Sequence, residues 1–202
     1  MSISFTPRKR DKGFTLIETM FAILILGIGL LGAAALLAQM FGNSVQSRYM
    51  STESLLASEK LDDLNRLASS DPALMPSPAN SLTTDASAVQ TVGAVTETVA
   101  YYDTVQISAG NGAMQEVITG SDGAGNTIYT VNSHTPNGNV SSATTNTAPA
   151  APDSQVLTFQ RRWLIEGDTP VLHARRITVQ VNLVGGSANA NFQTSMIRSF
   201  VQ

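Results

Sequence analysis

The chain of 202 residues has no cysteine, which excludes a disulfide framework, thiolate chemistry and any cysteine-ligated metal. Histidine is nearly as scarce. His134 and His173 stand 39 residues apart without a carboxylate pattern beside them, so neither has metal-ligand spacing, and no G-x-S-x-G nucleophile motif occurs. Without a catalytic constellation, the chain does not read as an enzyme and calls for no cofactor. Charge is sparse too: charged residues make up 13% of the chain, with 12 basic against 15 acidic and a net charge of -3. Four of the basic residues (Arg8, Lys9, Arg10 and Lys12) fall in the first 13 positions, leaving 8 basic against 14 acidic beyond them. Phosphate contacts need clustered Lys and Arg, so this balance argues against nucleic-acid binding.

The longest absence of charge is also the most informative one. No charged residue occurs from Thr19 to Ser47, and no polar side chain from Met20 to Ala38. At a rise of about 1.5 Å per residue this apolar run spans about 28 Å as a helix, close to the hydrocarbon thickness of a bilayer. The sequence therefore predicts one membrane span. The basic residues precede it, which places the amino terminus in the cytoplasm and the chain beyond about residue 48 outside. Glu18 sits at the edge of the run, and a carboxylate there is costly, by roughly 2 to 3 kcal/mol at a helix centre and less near the interface.

Three readings fit such a segment. One is a plain signal anchor. Another is a cleaved secretory signal, with Ala33-Ala34-Ala35 as an A-x-A site, which requires the structure to break after residue 35. Against it, Leu36, Leu37, Met40, Phe41, Ser44, Val45, Tyr49, Thr52, Leu55, Leu56, Leu64 and Leu67 fall mostly at three- and four-residue steps, the spacing of a helix that continues out of the membrane. Asp62 and Asp63 stand four and three residues before Arg66, a charge pairing suited to a helix. The helix is expected to stop near Ser69, ahead of Asp71-Pro72.

The third reading comes from Gly13-Phe14-Thr15-Leu16-Ile17-Glu18, which resembles the processing site of type IV prepilins. The match covers about the first forty residues. In that family a prepilin peptidase/methyltransferase cuts after the glycine and methylates the new amino terminus, so the resemblance implies cleavage between Gly13 and Phe14 and N-methylation of Phe14. It also implies that Phe14 and Glu18 serve subunit assembly, the Phe14 amine and the Glu18 carboxylate being complementary charges at similar membrane depth. Pairing between neighbouring subunits relieves the burial of each. An intramolecular contact one turn apart is equally open.

Gly27-Ile28-Gly29-Leu30-Leu31-Gly32 fits the dinucleotide fingerprint G-x-G-x-x-G, but it lies inside the apolar run with no strand before it. Each glycine weakens a helix interior by about 1 kcal/mol relative to alanine, and small residues let helices approach closely in membranes. Type IV pilins are similar to one another in letting this stretch unwind within the fibre. Major pilins often carry a proline at the position that Ala35 holds here, so Gly27, Gly29 and Gly32 are the expected site of helix loosening. Ala35 favours a minor over a major subunit.

Beyond the helix, Ser69 to Ser87 reads as an irregular loop. Val99 to Ile107 and Thr127 to Val131 read as strands, with Gly120 to Asn126 as a turn-forming connector. Asp122 and Asn126 there lack the spacing of an EF-hand loop, so a turn is the simpler account. The tract from Ser133 to Ser154 has little to bury and reads as a mobile excursion. Val156 to Glu166, a turn at Gly167-Asp168-Thr169-Pro170 and Val171 to Val184 form a hairpin, and Gln193 to Val201 a last strand. Ile177, Val179, Val181 and Leu183 alternate with polar residues, the mark of one buried face. Trp163 reads as a packing residue and His173 as a strand residue. Of the pairs Arg161/Arg162 and Arg175/Arg176, alternation puts one arginine on each face. They are expected on solvated faces, paired with Glu166 or Asp168.

The expected fold is α+β, a pilin-like lollipop with a long membrane-spanning helix and an antiparallel sheet. Residues 1-13 are a cleaved leader, 14-70 the helix with 14-38 in the membrane, and 71-202 an exported β-rich domain with a mobile loop near 133-154. The segments around R-R-W-L-I-E-G-D-T-P, R-I-T-V-Q-V-N-L and G-I-G-L-L-G resemble PilV-type minor pilins. That resemblance implies a minor pilin that helps to prime pilus assembly, with the peptidase, other minor pilins, the major pilin and the inner-membrane assembly platform as partners. It also implies a single-pass inner-membrane precursor with a periplasmic domain, and then a place in the cell-surface pilus. Two alternatives are a type II secretion minor pseudopilin, which shares the amino-terminal signal, and a membrane-tethered periplasmic binding domain.

Overall fold

One helix, α1 (Leu16–Arg66), runs for 51 residues, since the stretch contains no proline and stays apolar or helix-compatible throughout. The computed structural model describes residues 13–108, 112–122, 124–150, 155–185 and 191–200. Proline at position 72 lacks an N–H and disfavours helix at the residue before it. Asp71 is accordingly extended, with φ -73° and ψ 132°, and α1 ends at Arg66, slightly before the Ser69 expected. Carbonyls at the helix end take their hydrogen bonds from the sheet: Arg198 donates to Leu64 O at 3.2 Å and Leu67 O at 2.8 Å, and Arg175 donates to Ser69 O just beyond at 3.0 Å. These bonds satisfy groups that a helix terminus leaves open.

Two compact units meet at Val45 and Gln46. In the first, every described residue of α1 is exposed. The second contains the rest of α1 and, among the described residues, nine strands: β1 (Ser87–Val92), β2 (Val95–Ala100), β3 (Tyr102–Ser108), β4 (Met114–Ser121), β5 (Thr127–His134), β6 (Val140–Thr145), β7 (Val156–Gly167), β8 (Ala174–Leu183) and β9 (Asn191–Ser199). Seven form an antiparallel sheet in the order β6-β5-β4-β3-β7-β8-β9, and β1 and β2 form a separate hairpin. A long apolar helix followed by an antiparallel β domain is the α+β class expected.

Burial alternates along β7, with Phe159, Arg161, Trp163 and Ile165 inward. Leu56, Ala57, Leu61 and Leu64 of α1 close over that face together with Val105, Ile177, Val179 and Val181. Fully burying such a side chain stabilises the fold by about 1.5 to 3 kcal/mol, so this layer is the main stabilising contact of the domain. Trp163 belongs to it, as its packing role required.

Four expectations are corrected. Val99 to Ile107 is not one strand: it breaks at Tyr101, whose hydroxyl donates to Met75 O at 2.9 Å while its N–H donates to Ala86 O at 2.8 Å. The buried tyrosine turns β2 out of the large sheet. The tract from 133 to 154 contains β6, which pairs with β5 across a turn in which Thr135 N–H donates to Asn139 O at 2.9 Å; residues 151–154 lie outside the described ones. The β7–β8 turn extends through His173, which has φ +63° and is not a strand residue. Finally, neither Arg161 nor Arg175 is on a solvated face.

Arg161 is fully buried. Its Nε and Nη2 donate to the two carboxylate oxygens of buried Asp103 at 2.7 and 2.9 Å, and Nη2 also donates to Glu116. Lys60 of α1 joins from above, 2.9 Å from Asp103 Oδ2 and 4.1 Å over the Trp163 ring. Arg162, on the opposite face, pairs with Asp85 at 2.8 Å, and Arg176 pairs with Glu166 through two hydrogen bonds of 2.6 and 2.8 Å. Burial alone would raise the Asp103 carboxyl, but the charges of Lys60 and Arg161 overcome it and hold the pKa below the ordinary carboxylate value. A lowered carboxyl contributes stability that is present above its unfolded pKa and lost as pH falls through its folded pKa. Removing Arg161 leaves the buried Asp103 with Lys60 alone and takes away the cation that Glu116 pairs with, so Arg161→Ala is expected to destabilise the domain by about 3 to 5 kcal/mol, measured by thermal or denaturant unfolding. An effect near zero would contradict this account of the cluster.

Glu53 has the opposite sign. Its side chain is fully buried on α1; Oε1 accepts from Leu183 N–H at 3.1 Å, and Oε2 has no hydrogen-bond partner. Burial raises its pKa despite that backbone hydrogen bond. A raised carboxyl contributes stability that is present below the unfolded pKa and lost as pH rises through the folded pKa. Glu53→Gln therefore stabilises the protein at neutral pH, and its advantage over wild type shrinks towards pH 4. Melting temperatures across that range test it, and an advantage that grows in acid would overturn it.

Candidate processing and assembly site

The junction Gly13 to Glu18 folds as a helix start. Gly13, Phe14 and Thr15 are outside α1, and all three are exposed. Thr15 caps the helix: its carbonyl accepts from Glu18 N–H at 3.0 Å and Thr19 N–H at 3.2 Å, and its Oγ1 accepts from Glu18 N–H at 3.3 Å. Thr15 and Glu18 have the spacing of a capping box, a signal legible in T-L-I-E itself. Thr19 Oγ1 adds a bond to Leu16 O at 2.8 Å. The peptide between Gly13 and Phe14 thus lies just ahead of the first turn, in non-helical backbone, and nothing comes within 4 Å of a Cβ placed on Gly13. A protease needs a bond that is not locked into a helix, and this one is free of it.

Glu18 lies in the first helical turn, where the exposed N–H groups and the helix dipole favour negative charge. Among the described residues its carboxylate has no ion-pair partner. Phe14 is 82% exposed, and the large apolar side chains from Leu16 to Phe41 are exposed with it. The best 18-residue window of α1 reaches a mean hydropathy of 2.6 and is not buried at all. By length and composition it can cross a membrane, and it fits membrane anchoring. Gly27, Gly29 and Gly32 lie within unbroken α1, with open space around each. No strand precedes them among the described residues, so the dinucleotide fingerprint has no structural context.

Other residues weighed in the sequence have local roles. Asp122 accepts from Ala124 N–H at 2.9 Å, Asn126 N–H at 2.7 Å and Asn126 Nδ2 at 2.8 Å, so its carboxylate shapes a turn. His134 is in β5 and His173 in the β7–β8 turn, where its N–H donates to Asp168 Oδ1 at 3.0 Å. No group of three or more His, Cys, Asp or Glu that could hold a metal occurs among the described residues.

Residues 8–34 match the family model of the prokaryotic N-terminal methylation motif. No curated protein and no solved structure matches the chain. The matched residues contain the whole junction and most of the apolar run. The chain therefore carries a type IV prepilin-like signal, the mark of a pilin-like or pseudopilin protein, which implies processing by a prepilin peptidase.

Proposed function

We propose that this chain is a minor pilin, cut between Gly13 and Phe14, N-methylated on Phe14 and assembled into a type IV pilus through α1. One observation carries the reading: a complete G-F-T-L-I-E junction holds an accessible, non-helical Gly13–Phe14 peptide at the start of an uninterrupted apolar helix. Cleavage leaves a cationic amine at Phe14 and a carboxylate at Glu18, one helical turn apart. Within a hydrocarbon environment each charge is expensive alone, and a neighbouring subunit's amine is the partner that relieves Glu18 during docking. Gly27, Gly29 and Gly32 then let the helix loosen where subunits crowd.

The finer assignment to a PilV-type subunit that helps to prime assembly with other minor pilins, the major pilin and the inner-membrane platform rests on the R-R-W-L-I-E-G-D-T-P and G-I-G-L-L-G resemblance. In this reading the domain from Gln46 onward is periplasmic before assembly and surface-exposed in the pilus. A minor pseudopilin of type II secretion is the second reading, supported by the same junction. Glu18→Ala is expected to lower the amount of the protein in sheared fibres at least about tenfold, the effect of about 1.4 kcal/mol, with processing intact. Immunolabelling of sheared pili measures it, and undiminished incorporation would remove Glu18 from assembly.

A further inference from the structure

Beside the second half of α1, two cavities of about 350 Å³ and 600 Å³ lie between the helix and the strands, and Asp63 lines both. Leu67, Ala73, Val99, Ile118 and Trp163 wall the smaller one, with the exposed carboxylates Asp63 and Glu97 among them. Leu55, Ile107 and Met114 line the larger, where Glu59, Asp62 and Glu116 join Asp63. Apolar walls with a few polar groups and volumes of this order are those of binding pockets. Asp62, Asp63 and Glu97 have no ion-pair partner among the described residues. Burial raises the Glu59 carboxyl; Arg161 opposes the rise, and the charges of Glu116 and Asp63 add to it. Negative charge therefore outweighs positive along this flank of α1.

Charge complementarity makes the occupant cationic, and the walls give it an aliphatic stem. A lysine or arginine side chain lays its methylenes along apolar surface and keeps its charged head at the rim. Lys60 is already committed to Asp103 and the Trp163 ring, which leaves Arg66 as the one other lysine or arginine lining either cavity among the described residues. Two ring nitrogens separate a polypeptide from a bare ion. Trp163 is 6% exposed and its indole N–H has no hydrogen-bond partner, and His134, which lines the larger cavity, has an unpartnered Nε2. A metal ion or a polyamine offers no acceptor to an indole N–H, whereas a polypeptide brings carbonyls together with its basic side chains. A second copy of this chain is a poor source of the cation. Beyond residue 13 it holds 8 basic against 14 acidic residues. Of these, Lys60, Arg161, Arg162 and Arg176 are in ion pairs, and Arg175 and Arg198 bond to carbonyls at the end of α1. Arg48 and Arg66 remain, and Arg66 lines the groove itself.

We propose that this flank of α1 binds a basic segment of a different protein, which seats a lysine or arginine stem against Trp163 and Ile118 and its charge at Asp63 and Glu97. The proposal goes beyond the pilin reading, and an unprocessed chain would leave it untouched. Trp163 is the chain's single tryptophan, so its fluorescence in the full-length protein, held in neutral-detergent micelles, reports the smaller cavity. The probes are a blocked peptide of alternating lysine and valine, the same peptide with glutamate for lysine, and spermine. A saturable change of fluorescence is expected with the lysine peptide, weakened by salt, and none with the glutamate peptide. Asp63→Asn combined with Glu97→Gln is expected to loosen that binding at least about threefold. The melting temperature stays unchanged, since both side chains are exposed. Asp85→Asn combined with Glu166→Gln removes the same charge from partners of Arg162 and Arg176, and is expected to leave the binding as it is. No saturable change with the lysine peptide, a matching response to the glutamate peptide, equal affinity of the Asp63 and Glu97 variant, or equal loosening by the control overturns the site. Spermine bound as tightly as the lysine peptide overturns the polypeptide partner in favour of a small cation.

Discussion

The β domain is organised around one buried guanidinium. Arg161 lies on β7, its carboxylate partner Asp103 is directly opposite on β3, and Glu116 reaches it from β4. From the helix side, Lys60 binds the same Asp103, Glu59 approaches Arg161 to 3.7 Å, and Leu56 O accepts a long bond of 3.5 Å from Arg161. Three strands and α1 thus converge on one charge. A buried ion pair is weak evidence for net stability, because desolvation offsets most of the attraction. Its consequence here is register: a one-residue slip of β3 would turn Asp103 to the opposite face and strand Arg161 among Phe159, Trp163 and Ile165. The cluster therefore sets which faces of β3, β4 and β7 turn towards the helix.

That arrangement gives the second half of α1 a defined seat, while the described residues of the first half are all exposed. Leu56, Ala57, Leu61 and Leu64 are buried, whereas the large apolar side chains from Phe14 to Phe41 are exposed. So large an apolar surface requires an environment, either lipid or the helices of other subunits. One continuous element thus carries two different kinds of surface. The Thr15 cap fixes where that element begins, and in doing so leaves the Gly13–Phe14 bond outside it.

Much of this organisation is legible in the residues. The uncharged run, the G-F-T-L-I-E junction and the alternation of Ile177, Val179 and Val181 are local patterns, and each corresponds to an element found in the structure. Parity along β7 even places Arg161 on the same face as Phe159 and Trp163. Its burial was nonetheless missed, because the partners that make it tolerable stand 58 and 45 residues away in Asp103 and Glu116. The break at Tyr101 has the same origin: its hydroxyl acceptor, Met75 O, is 26 residues earlier. β6 escaped for a different reason, since Val140 to Thr144 are all exposed and no buried face imprints alternation on them. Local pattern reveals elements, and long-range polar pairing decides where they stop and turn.

The junction from Gly13 to Glu18 decides whether the chain is a processed pilin-like subunit. Mass spectrometry of the mature protein purified from membranes or fibres reads it directly. The predicted result is an amino-terminal peptide that begins at N-methylated Phe14 and retains Glu18 and the apolar run. An intact Met1, or an amino terminus at any residue other than Phe14, would contradict it.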